Sequence, residues 1–282
     1  MENTNIIVPS VYADMVTEKV KGLVKISNYA KDLGELDNFA QEGDSVTFPQ
    51  FCALGEAEIL ERGGKINTEE LKQNSTKKTI KHYSKGVLIY DIDALTGKGN
   101  FLENAVMQQA RIFARAKDKE CVEDILANTV NKFATASADA VTEQELHGAF
   151  ALWSDEQDTD SFEAIIINPR LLPSFYEMKG FISTDVTYSK DNNGIIRNGV
   201  VGLFRGVPVV LSDVGTYDTT KNECITFILK KGALGFKDKK DGLDIELKRE
   251  SEIKATTVLT DEIFVIGLIQ KDGVTVVKKT IA

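Results

Sequence analysis

The chain has 282 residues, 42% hydrophobic and 27% charged, with a formal net charge of −9. That length buries a substantial core in one large or two modest domains, and the composition is that of a folded soluble protein. The acidic balance argues against tight nucleic-acid binding, which needs a basic face to displace phosphate counterions, and no apolar run approaches the length of a bilayer span. The N-terminal MENTNIIVPSVYADM has neither a basic start nor a long apolar segment, so no signal peptide and a cytoplasmic product are expected. Cys52, Cys121 and Cys224 are odd in number, widely separated and set among apolar residues, as packed thiols in a reducing compartment are.

After Pro9 and Ser10, the apolar residues Tyr12, Met15, Val16, Val20, Leu23 and Val24 recur at near-helical spacing, which predicts a short amphipathic helix inside an N-terminal arm. Ser45 to Phe51 alternates apolar and polar residues as a half-buried strand does, and Pro49 puts that strand at an edge. A return strand is expected from near Ser75 to Tyr90, with Gly63-Gly64 at the tip of the excursion. Charge is sorted along this hairpin. Glu56, Glu58, Glu61, Arg62, Glu69 and Glu70 lie on the outgoing side and tip, and Lys72, Lys77, Lys78, Lys81 and Lys85 on the return. Either the two arms pair with each other in solvent, each pair contributing little, or the hairpin projects and its charges set partner and register on a neighbour.

Phe101 to Val130 carries a drifting apolar stripe through Ala105, Val106, Phe113, Val122 and Ile125, which predicts a helix of about 45 Å at 1.5 Å per residue. Thr142 and Glu145 form a capping box ahead of Leu146, Ala149, Phe150 and Trp153. Ala164 to Ile167 reads as a buried strand, and Asn168-Pro169 closes it and opens a short helix through Tyr176. Residues 183–199 read as a polar loop. Gly206 is expected to supply positive φ or a close backbone approach beside Pro208 in a valine-rich strand, and residues 243–280 read as strands with a hairpin turn at Asp272-Gly273. The sum is an α+β architecture.

Chemistry is scarce. His82 and His147, the only histidines, lack a partner at metal-ligand spacing, and Gly97-Lys98-Gly99 matches no phosphate-binding pattern. Asp91-x-Asp93 fails as a calcium loop at Leu95 and Thr96, and the acidic run 155–163 reads as solvated charge. No catalytic, cofactor or metal residues are assigned, although an enzyme on an α+β fold with an unrecognised pocket stays a third reading.

The order of these features resembles the tailed-phage major capsid proteins of the HK97 type, over nearly the whole chain. Asn168-Pro169, Arg205-Gly206-Val207-Pro208-Val209 and the stretch from Gly232-Ala233 to Glu246 carry the resemblance best. It implies an HK97-like fold with an N-terminal arm (1–40), an extended loop (41–90), a spine helix with the first part of a peripheral domain (91–135), an axial domain (136–237) and the peripheral strands (238–282). Glu56, Glu58, Glu61, Arg62, Glu69, Glu70, Lys72, Lys77, Lys78 and Lys81 become intersubunit contacts, and Asn168, Pro169, Gly206 and Pro208 structural residues of the axial domain. Copies would form the pentamers and hexamers of an icosahedral head around double-stranded DNA, assembled in a bacterial cytoplasm, with no membrane and no cofactor. The short lead before the first strand implies a separate scaffolding protein; a portal and a decoration protein are the other expected partners. The runner-up is an encapsulin-like shell around cargo enzymes. Some relatives lock their shells with lysine–asparagine isopeptide bonds, but residues 223–282 contain no asparagine, so a covalent lock is not expected here.

Overall fold

In the computed structural model, the residues described are 9–36, 43–51, 59, 65–66, 68–96, 101–183 and 199–281. The hairpin tip with Gly63-Gly64, Gly97 to Gly99 and most of the polar loop 183–199 lie outside them.

The chain opens with helix α1 (Pro9–Leu23), then β1 (Lys31–Asp32), β2 (Ser45–Phe51), β3 (Gln73–Thr79), β4 (Lys81–Tyr90) and α2 (Asp91–Thr96). The long helix α3 (Phe101–Asn128) leads to β5 (Asn131–Ala134), α4 (Glu143–Ala151), β6 (Phe162–Ile167), α5 (Leu172–Tyr176) and β7 (Phe181–Ser183). There follow β8 (Val200–Phe204), β9 (Val207–Leu211), β10 (Tyr217–Asp218), β11 (Glu223–Cys224) and β12 (Thr226–Lys230). The long strands β13 (Leu234–Glu250) and β14 (Ala255–Leu268) and the short β15 (Val274–Lys278) complete the order.

Two sheets dominate. One has seven strands in the order β5-β15-β12-β6-β9-β8-β7, the other four in the order β1-β13-β14-β4, while β2 and β3 form a separate two-stranded ribbon. Side chains of the central strands alternate between the two faces of the larger sheet. Ile165, Ile167, Val209 and Ile228 pack under α4 and the Leu171–Phe175 turn with Phe150, Leu146 and Phe175. Ile166, Phe227, Leu229 and Val276 face the other way, onto Cys121, Val122 and Ile125 of α3 and Phe264, Ile266 and Leu268 of β14. The C-terminal half of α3 therefore lies between the two sheets. Its N-terminal half packs Val106, Ala110 and Phe113 against Tyr12, Val16 and Val20 of α1 and Leu243, Ile245 and Val258 of the smaller sheet.

Local sequence explains the helix starts. The Thr142–Glu145 capping box forms in both directions. Asn168 accepts a hydrogen bond from the Arg170 N–H at 3.0 Å, with Pro169 at the first helical position, where its missing N–H costs nothing. Arg205 and Gly206 have φ of 51° and 80°, so they form the tight two-residue turn joining β8 to β9. Gly206 thus sits in a turn rather than in the strand. Pro208 lies one residue before β9 begins to pair with β6 at Val209, so its absent N–H interrupts no ladder on that side.

Two expectations are corrected. The return strand divides at Ile80: β3 pairs with β2, whereas β4 pairs with β14. Asp272-Gly273 is a turn but no hairpin, because β14 pairs with β13 and β4 while β15 pairs with β12 and β5. The turn switches sheets, and the long hairpin is β13–β14. Residues 238–282 are accordingly shared between both sheets.

Candidate assembly interface

Among the described residues, no cluster of histidine, cysteine, aspartate and glutamate can hold a metal, and no helix is long and apolar enough to cross a membrane. What the fold does present is a set of extensions, each fixed to α3 by polar contacts.

The first is the N-terminal segment. Its helix packs on its own subunit, with the Tyr12 hydroxyl donating to Gln109 Oε1 at 2.6 Å and Gln109 Nε2 donating to the Lys85 carbonyl at 3.3 Å. Burial pushes the Tyr12 hydroxyl pKa up to about 12. Just beyond the helix, Asp118 accepts the backbone N–H groups of Lys25, Ile26 and Ser27 at 3.1, 3.0 and 2.9 Å and the Ser27 hydroxyl at 2.8 Å. Burial raises the Asp118 pKa, against the pull of those four donors. One residue earlier on α3, Lys117 meets Glu262 Oε1 at 2.5 Å, its ammonium 5.1 Å from the Phe236 ring centroid. Burial also raises Glu262, with Lys117 opposing.

The second extension is the ribbon β2–β3. Its root is sealed by Phe48 and Ile80 against Leu36, Val265 and Ile269. Lys78 enters the subunit and pairs with Asp124, while Lys81 and the Tyr83 hydroxyl both reach Glu120. Burial, then the Glu120 hydrogen bond, raises the Tyr83 pKa. At the far end of the smaller sheet, Arg249 grips Asp91 through two bonds of 2.6 and 2.5 Å, which occupies the first aspartate of the failed calcium pattern.

The residues expected to contact a neighbour therefore divide. Lys78 and Lys81 are engaged within the subunit; Glu69, Glu70, Lys72 and Lys77 are exposed; Glu56, Glu58, Glu61 and Arg62 lie outside the described residues. Asn168 is buried, and its amide donates to Thr216 Oγ1 at 2.9 Å. The sequence reading missed Gln109, Lys117, Asp118 and Asp124, polar residues on the inward side of α3. It also missed two exposed apolar sets. Ile182 and Leu203 are cross-strand neighbours at the β7 edge, with Tyr176 nearby in sequence. Leu88, Tyr90 and Phe101 line a groove of about 400 Å³ beside edge strand β4.

The described residues form an α+β subunit with a long inner helix, a two-stranded ribbon and exposed apolar edges. No protein-family model matches the sequence. Over 269 residues the chain is 28% identical to the major capsid protein of Staphylococcus phage phiMR11, covering 95% of this chain and 91% of that protein. The capsid of the cyanophage P-SCSP1u has the same fold with a TM-score of 0.62 at 13% identity, over 90% of this chain and 87% of that one. The capsid of an empty GTA particle gives 0.64 at 10% identity, over 92% and 90%. The fold is the HK97-like capsid fold that the order of sequence features implied.

Proposed function

We propose that this chain is the major capsid protein of a tailed phage or prophage, a structural protein whose copies close into the pentamers and hexamers of an icosahedral head around double-stranded DNA. The observation that carries this is the likeness to a phage major capsid protein along almost the full length of both chains. Each subunit meets the next through two different surfaces, because only heterologous contacts generate rings. The exposed edge at Ile182 and Leu203 and the groove at Leu88, Tyr90 and Phe101 suit such contacts, since exposed apolar patches mark association surfaces. The exposed ribbon charges Glu69, Glu70, Lys72 and Lys77, with Glu56, Glu58, Glu61 and Arg62 of the tip, set partner and register on the neighbour.

In this reading the N-terminal arm, extended loop, spine helix, axial domain and peripheral strands are those expected from the sequence, except that β4 joins the peripheral strands and β15 the axial sheet. The partners are a separate scaffolding protein, a portal and a decoration protein, assembly takes place in the bacterial cytoplasm, and the subunit performs no catalysis. An encapsulin-like container is not favoured, because the matched proteins are phage and GTA capsids. Size-exclusion chromatography with electron microscopy, with and without a scaffolding partner, tests the proposal. Closed shells or capsomer rings are expected; a strictly monodisperse monomer under every assembly condition would overturn it.

A further inference from the structure

The ribbon β2–β3 shares no ladder with either large sheet, and only Ile80 separates it from β4. Besides the chain itself, the apolar seal around Phe48 and Ile80 and the ion pair of Lys78 with Asp124 hold it to the subunit. Apolar contact is non-directional, whereas a charged hydrogen bond fixes both distance and direction. The angular information then resides in that ion pair.

Asp124 is built for that task. Both of its oxygens receive the Lys78 ammonium, Oδ1 also accepts the Asn128 amide at 2.8 Å, and Oδ2 accepts the Leu268 backbone N–H of β14. One carboxylate thereby ties the ribbon, the long helix and a strand of the smaller sheet. Lys78 is 8% exposed, so water does not screen the pair as it does on a surface. A second observation points the same way. Gly267, in β14, has no positive φ that would demand glycine, yet a Cβ there would lie 2.6 Å from Asp124 Oδ2 and 2.9 Å from Lys78 Cε. Its missing side chain is the space the pair occupies. One helical turn back, Glu120 takes Lys81 and the Tyr83 hydroxyl, both of β4, so the strand that follows the ribbon is fastened to the same helix face.

We propose that Asp124 is a positioning residue that sets the angle at which the ribbon leaves the subunit, with Lys78 as the bolt and Gly267 as the seat. Resting on the capsid reading, the consequence is that Asp124 fixes shell curvature by aiming a contact arm to which it does not itself belong.

The test starts with the isolated full chain, carrying Cys52→Ser and spin labels at exposed Gln73 of the ribbon and Arg111 of the helix; Cys121 and Cys224 are buried. Lys78→Gln and Gly267→Ala should each broaden the ribbon-to-helix distance distribution at least twofold. Lys77→Gln removes the same charge from the exposed face of the same strand and should leave the distribution unchanged. In assembly, Lys78→Gln should give tubes or shells of mixed diameter. Should Lys78→Gln or Gly267→Ala fail to fold, Asp124→Asn, which keeps the shape of the carboxylate and removes its charge, carries the comparison. Distributions as narrow as the parent's in the folded variants, or uniform parental shells from Lys78→Gln, would overturn the proposal. Failure of the unaltered chain to assemble would instead count against the capsid reading and leave the distance measurement decisive for the fastening.

Discussion

Around the seven-stranded sheet, α4 and its flanking turns are held by rings: Phe150 packs edge-on to Phe162 at 4.9 Å and lies 6.2 Å from Trp153. Around the four-stranded sheet, the attached segments are held by Lys78, Lys117, Asp118 and Glu262, four of the five charged side chains buried among the described residues. The difference teaches what each region is for. An apolar core stabilises a self-contained unit and tolerates small shifts, because burial has no preferred direction. Buried charge is costly to desolvate and often no more stabilising than hydrocarbon, but it accepts one geometry. It is found here where an arm, a ribbon or a helix must leave the body at a set angle.

The comparison can be broken most forcefully at Phe150. Phe150→Ala should cost about 3–5 kcal/mol in denaturant unfolding, through lost burial and the cavity left behind. Hydrogen exchange at residues 25–27 should change no more than globally; selective loss there would mean that the two regions are not separately held. Asp118→Ala should cost about 2–3 kcal/mol, because three backbone N–H groups lose their acceptor. The effect should be local, with faster exchange at Lys25, Ile26 and Ser27 and undisturbed protection in β6 and β12. Gly206→Val should cost about 1–3 kcal/mol in melting, since φ is +80° and the new Cβ would lie 2.9 Å from Thr159 Cγ2. Thr142→Ala should cost about 1 kcal/mol as an ordinary lost helix cap.

The subtlest contrast is in pH. Burial raises the Asp118 pKa, so the folded state takes up a proton before the unfolded chain does. Stability from this group therefore rises as pH falls through the raised value, and the gain is complete below the ordinary carboxylate range. Glu145 behaves oppositely: burial would raise it, but the N–H groups of Ala136 and Thr142 and the Thr142 hydroxyl together bring it below its usual value. Its contribution is present at neutral pH and lost as pH falls through that lowered value. Unfolding across pH should show the parent gaining on Asp118→Asn and losing ground to Glu145→Gln as acid is added. Parallel slopes for the two pairs would erase the distinction between the regions.

What could be read from the residues alone follows the range of the interactions. The capping box, the Asn168-Pro169 helix start and the need for positive φ at Gly206 are local, decided within four residues, and were legible. The α3 stripe was legible as a period, and the order of elements was enough to resemble a known shell fold. Polar residues on that stripe were not. Asp118 serves Lys25 to Ser27 some ninety positions away, and Asp124 serves Leu268, 144 positions away. Nothing at short range marks either as more than an interruption of an apolar face. Lys78 was read by charge run as an outward contact for the same reason, since its inward partner lies 46 residues on. At Asp272-Gly273 the turn chemistry was right, but which sheet receives the following strand depends on Val274 and Val276 finding β12.

The place of β15 bears on the timing of synthesis. This strand is encoded near residue 275 yet lies in the interior of the larger sheet, parallel to β5 and antiparallel to β12. While the ribosome is still translating that region, β5 and β12 each present an open edge with a vacancy between them, and α3 lacks Val274 and Val276 from the core it covers. A nascent chain thus cannot close the larger sheet until Val274 to Lys278 have emerged. A chain terminated before β15 lacks the strand that joins β5 to β12, leaving exposed strand edges as a mark for proteolysis. Because β15 joins β5 to β12, translation through residue 278 is a condition for closing the larger sheet.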